Sequence, residues 1–138
     1  MRLGPTCGLW PGARALIGAV VDPDGLLVAA GGLPPGNDDG EDASWLSHLE
    51  AHYGPDLELV LTPRLARQNP LGRVAVELGY QVWVAPSHLV SLVASAAWYK
   101  PSPRQLATVL ARLPLTRATR AALRQLPLAP GPRQLRLL

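Results

Sequence analysis

The chain has 138 residues, the length of one ordinary domain, and with 48% hydrophobic and 17% charged residues it has the composition of a packed globule, not of a disordered chain. Its net charge of +3 conceals a division: residues 1–63 hold Arg2 and Arg14 against nine acidic residues, whereas residues 64–138 hold eleven Lys or Arg against Glu77 alone. Cys7 stands alone, which excludes an intrachain disulfide and a cysteine-rich zinc site and points to a reducing, cytoplasmic setting.

In chain order, Arg2 to Trp10 reads as a short extended segment closed by the turn signal Pro11-Gly12. Pro5, Pro11 and Arg14 interrupt the early apolar stretch, so no signal peptide is expected. Ala15–Val21 and Leu26–Ala30 are apolar runs on either side of Asp22-Pro23-Asp24-Gly25, which predicts a hairpin. Residues 31–42 have no hydrophobic period and read as a loop. Asp42 or Ser44 can cap a helix with Leu46, Leu49 and Tyr53 on one face, stopped by Gly54-Pro55. Leu57 to Thr62 alternates as a strand with Leu57, Leu59 and Leu61 on one side.

Asn69-Pro70 predicts the start of a helix carrying Leu71, Val74, Ala75 and Leu78, with Gly79 as its left-handed stop. Gln81–Ala85 is a short buried strand, and Ser87 is the expected cap of a helix through about Trp98. The longest nonpolar stretch, Leu89 to Trp98, falls well short of the ~20 residues of a membrane span. Ser102-Pro103-Arg104-Gln105 is a capping-box start for a helix to Leu113, and Thr116 opens a last helix to about Leu126. This order predicts one domain over residues 1–126, with a mixed five-stranded sheet and helices on both faces, followed by a Pro- and Arg-containing tail at 127–138.

Over roughly residues 2–113 this order resembles the RNase H-like superfamily, nearest to RuvC-type resolvases and the transposases that share their catalytic domain. Leu3-Gly4-Pro5-Thr6-Cys7-Gly8 is similar to the resolvase first-strand pattern Leu-Gly-Ile-Asp-Pro-Gly. The helix from Val90 leading to Gln105-Leu106 resembles one that leads to a Gln-Val pair there, and Leu59 through Pro86 resembles the strand, helix, strand and proline that carry the second acidic residue. The resemblance implies a three-layer α/β fold and clustered carboxylates that hold two divalent metals for phosphodiester cleavage. It also implies where those carboxylates belong, and there this sequence has Thr6, then Leu61 or Thr62, and then Ser102 and Leu106. A hydroxyl or an alkyl group cannot supply the missing charge, so the expectation is a nuclease-like scaffold without nuclease chemistry, metal or cofactor.

Asp22, Asp24 and Glu58 are the competing metal set, but Asp in a Pro-Gly turn commonly caps its own backbone. His48 and His52, four apart with Glu50 between them, lack the metalloprotease order and read as solvent-facing. The basic half has more order. Arg117, Arg120 and Arg124 fall on one face of the expected last helix, Trp98-Tyr99-Lys100 can stack on bases or grip phosphates, and Arg64 and Arg67 follow the fourth strand. With Arg104 and Arg112 these residues point to nucleic acid, DNA rather than RNA, as the partner. The alternative is an interaction module whose basic half meets an acidic protein or another copy of the chain.

Overall fold

The computed structural model describes residues 4–12, 16–33, 39–54, 56–68 and 71–126. Six strands form one sheet in the order β3-β2-β1-β4-β5-β6: β1 (Thr6–Pro11), β2 (Leu16–Val21), β3 (Leu27–Leu33), β4 (Glu58–Leu61), β5 (Gln81–Val84) and β6 (Arg124–Gln125). β1, β4 and β5 are parallel, whereas β2 is antiparallel to β1 and β3, and β6 to β5. The turn between β2 and β3 closes on Asp22, whose Oδ1 accepts the N–H groups of Asp24 and Leu26 at 2.9 Å each. That carboxylate is spent on the backbone of its own turn.

Helices cover both faces of the sheet. On one side α1 (Asp39–Tyr53), α2 (Pro63–Gln68) and α3 (Leu71–Glu77) bury Leu46, Leu65, Leu71, Val74 and Ala75 against Cys7, Leu9, Leu57, Leu59 and Leu61. On the other, α4 (Ser87–Ala97) and α5 (Pro103–Arg112) bury Val90, Ala94, Val109 and Leu110 against Val60, Trp10 and Trp83. The alternation of Leu59 and Leu61 with Val60 assigns β4 side chains to the two layers, as strand geometry requires. Gly79, at φ +95°, supplies the left-handed residue just beyond α3.

Several elements differ from the sequence expectation. β3 runs on to Leu33 and α1 begins at Asp39, so the loop expected at 31–42 is shorter at both ends. α2 was not expected; Thr62 starts it, with Oγ1 accepting the Leu65 N–H at 3.3 Å and the carbonyl accepting that of Ala66 at 2.9 Å. Ser87 is the first residue of α4, whose N-cap is Pro86 without a side-chain bond. The expected cap at Asn69-Pro70 and the tail at 127–138 lie outside the described residues.

The largest difference is at 116–126, where a short α6 (Arg117–Arg120) gives way to a turn and then to β6, the sixth strand of a sheet expected to have five. Leu123 packs into the α4–α5 layer and Leu126 into the α1–α3 layer. Residues three apart on a helix share a face, whereas extended chain sends them to opposite sides, so burying both leucines requires a strand along the β5 edge.

Candidate nucleic-acid interface

Register fixes which residues meet at each end of the sheet. Thr6 pairs with Glu58 and Val21, and Glu58 pairs with Gln81, so these four occupy the end where the parallel strands begin. Gly8 pairs with Val60; two residues on, at the carboxyl end, Trp10 comes level with Thr62. The structure therefore does not bring Thr6 to the strand end occupied by Leu61 and Thr62. Thr6 is 1% exposed at the opposite end, and the β1 residue that this register, continued by two positions, carries towards Thr62 is Trp10. Leu61 is fully buried against the α1–α3 layer, and the Thr62 hydroxyl is committed to α2.

α5 lies across β1 in nearly direct contact. A Cβ at Gly8 would collide with the Ala107 carbonyl and the Ala111 amide. At the C-terminus of α5, Arg112 Nε donates to the Gly25 carbonyl in the β2–β3 turn, at 2.9 Å. That turn adjoins the Thr6 end, so α5 runs antiparallel to β1 and its N-terminus overlies the carboxyl end, where Leu106 shares a cluster with Trp10. Ser102 caps α5: its Oγ accepts the Gln105 N–H at 3.2 Å, and Gln105 Oε1 accepts the Ser102 N–H at 2.9 Å. Trp10, Thr62, Ser102 and Leu106 thus gather at one end of the sheet, and none is ionisable.

Four helices start at this end, and they differ in charge: α1, which follows β3, opens with Asp39, Glu41 and Asp42, whereas the other three carry no such acids. α2 begins directly after β4 and α4 after β5, and α5 presents its N-terminus there; none of the three has an acidic residue in its first turn. Helix N-termini carry a partial positive charge that favours phosphate. Exposed Arg64 and Arg67 lie on α2, Arg104 on the first turn of α5, and Tyr99 and Lys100 just before it. Arg124, also exposed, pairs with Val84 at the carboxyl end of β5.

The remaining basic candidates lie elsewhere. Arg120 stacks its guanidinium 4.6 Å from the Trp83 ring centroid, approaches Glu58 at 3.8 Å and donates to the Pro114 carbonyl at 3.1 Å. Trp83 Nε1 donates to the same Glu58 carboxylate at 2.6 Å. Arg120 is held inside the fold at the amino end, and with α6 only four residues long the expected stripe of Arg117, Arg120 and Arg124 does not form. Arg112 is also at the amino end, through its bond to Gly25. Trp98 is partly buried and packs against the α4–α5 core layer.

Glu58 is the one carboxylate on the described strands, and Asp22 is turned into its own loop, so the alternative set of Asp22, Asp24 and Glu58 is not assembled. Among the described residues no group of three or more His, Cys, Asp or Glu could hold a metal ion. His48 and His52 are exposed, with ring centroids 5.3 Å apart. Cys7 is buried, and desolvation pushes its thiol up to about 12. Among the described residues no helix is long and apolar enough to cross a membrane.

Strand order 3-2-1-4-5, with β1, β4 and β5 parallel and helices on both faces, defines an RNase H-like fold of the RuvC type, here extended by β6. The chain superposes on T. thermophilus RuvC, solved in complex with a Holliday junction substrate, with a TM-score of 0.60 at 16% identity over 89% of this chain and 99% of that one. No family model and no curated protein sequence matches the chain.

Trp10 is the residue at this end that the sequence did not single out. Its signal was Pro11-Gly12, which read as a turn and not as part of the first-strand pattern.

Proposed function

We propose that this protein is a non-catalytic RuvC-like binding or regulatory subunit that engages DNA through the carboxyl end of its sheet. The observation that carries the reading is the chemistry of that end, where Trp10, Thr62, Ser102 and Leu106 lie without a carboxylate among them and Arg64, Arg67, Lys100 and Arg104 stand by the starts of α2 and α5, on elements other than α1, which holds the acids Asp39, Glu41 and Asp42. We place the first-strand acidic position at Trp10. Gly8-Leu9-Trp10-Pro11-Gly12 keeps the Gly and the Pro-Gly of the resolvase pattern, whereas Gly4-Pro5-Thr6-Cys7-Gly8 has Cys where the proline belongs. Phosphodiester hydrolysis in this fold needs clustered carboxylates for divalent metals, and an indole, two hydroxyls and an alkyl side chain cannot hold them. A cationic rim without that centre binds the backbone and leaves it intact. The solved neighbour was captured on a four-way junction, so branched DNA is the first substrate to offer.

The test is a fluorescence anisotropy titration with junction, duplex and single-stranded DNA and with single-stranded RNA, over a salt series, with magnesium or manganese added and the strands examined on a gel. Binding that weakens steeply with salt and leaves DNA whole is the expected result. Metal-dependent cleavage would overturn the non-catalytic reading. Absence of binding would overturn the DNA reading and turn the basic end towards an acidic protein.

A further inference from the structure

Resting on the DNA reading above, we propose that Tyr99 is a stacking platform for an unpaired nucleobase, directing the protein to single-stranded and branched DNA in preference to plain duplex. The Tyr99 ring is 91% exposed, whereas the other aromatic rings, Trp10, Trp45, Tyr53, Tyr80, Trp83 and Trp98, are all partly buried. Exposure alone would be unremarked on a mobile loop, but this ring sits on a turn fixed from both sides.

Before it, Trp98 is partly buried against the α4–α5 core cluster, and its backbone N–H donates to the Ala94 carbonyl at 2.8 Å. After it, the Ser102–Gln105 capping box locks the start of α5. Pro101 and Pro103 restrict the backbone between and beyond these anchors. The turn is thus organised to hold an aromatic ring in solvent, with little conformational entropy left to lose on binding.

The neighbours of the ring select the ligand. Lys100 Nζ lies 5.5 Å from the Tyr99 centroid, a cation over one face, while the exposed ring offers the other. Arg104 stands on the first turn of α5, where no acidic residue offsets it. A flat π-face with one cation over it and a second at the start of the next helix fits a base still attached to its phosphate. In an intact duplex the bases stack on one another and offer no face, so only unpaired or splayed positions can use the platform.

The experiment compares wild type, Tyr99→Ala and Tyr99→Phe on a single strand, a four-way junction and a blunt duplex of equal length, with 2-aminopurine in the single strand as a stacking reporter. Tyr99→Ala is expected to weaken single-strand binding by about tenfold or more and to abolish the 2-aminopurine quench, with duplex affinity unchanged, while Tyr99→Phe keeps both. If wild type binds DNA but Tyr99→Ala binds the single strand equally well, or loses the duplex to the same degree, the stacking platform is wrong and the DNA reading stands. If wild type binds none of the three, both fall.

Discussion

The two ends of the central sheet use similar residues for opposite purposes. At the amino end an arginine, a tryptophan and a carboxylate close on one another: Arg120 covers Trp83, and both reach Glu58. At the carboxyl end Trp10 occupies the strand terminus, Tyr99 stands in solvent, and Arg67, Lys100 and Arg104 are exposed. A basic residue whose partner is built into the fold contributes to stability, whereas one displayed beside helix N-termini is placed for an outside anion. Total charge cannot distinguish them. Position on the sheet does.

The comparison breaks most visibly through paired charge reversals. Arg67→Glu with Arg104→Glu, at the carboxyl end, should lower DNA affinity at low salt by about a hundredfold or more and flatten the log–log salt slope by about two units. Arg112→Glu with Arg117→Glu, the latter on α6 just beyond the C-terminus of α5, changes the net charge equally but acts at the other end, and should leave affinity within about threefold. Equal losses from the two pairs, measured by titration at several salt concentrations, would mean that DNA feels only the overall charge.

A smaller effect sharpens the contrast from the amino end. Glu58→Ala leaves the Trp83 N–H and the Arg120 guanidinium without their shared acceptor, which should cost about 2 kcal/mol in urea unfolding while DNA affinity stays unchanged. A variant that folds normally but binds poorly would place the interface at the wrong end.

The smallest effect at neutral pH concerns the body of the sheet between the two ends. Burial raises the Cys7 thiol from 9.0 to about 12, so the folded state favours the protonated form. The stability this contributes is complete below pH 9 and is lost as pH rises towards about 12, because the unfolded chain gives up its proton first. Chemical denaturation along that range should decline less steeply in Cys7→Ala. An identical decline would show that the thiol is not sealed inside the fold.

Much of this fold was legible because its signals are local. The Ser102–Gln105 box, the Gly79 stop, the Asp22 turn and the Leu57, Leu59, Leu61 alternation each specify their element within a few residues. α2 had a signal too, Thr62 followed by Pro63, but six residues are too few to establish a helical period. Residues 116–126 could not be read locally, since what decides them is the need to bury Leu123 and Leu126 on opposite faces of a sheet assembled from elsewhere. The site was half legible for the same reason. Its basic residues stand out in the sequence, but whether Thr6 or Trp10 meets Thr62 is a matter of strand register.

Gly8 gives this arrangement a practical meaning. Because β1 and α5 touch backbone to backbone there, the angle between strand and helix is set without help from any side chain at the sheet's rim. Trp10, Thr62 and Leu106 are mounted on a jig whose dimensions they do not determine. Because Trp10 and Leu106 also pack against the α4–α5 layer and Thr62 caps α2, carboxylates installed there one at a time would ask both how many a phosphodiesterase needs and how much of that packing the frame can give up.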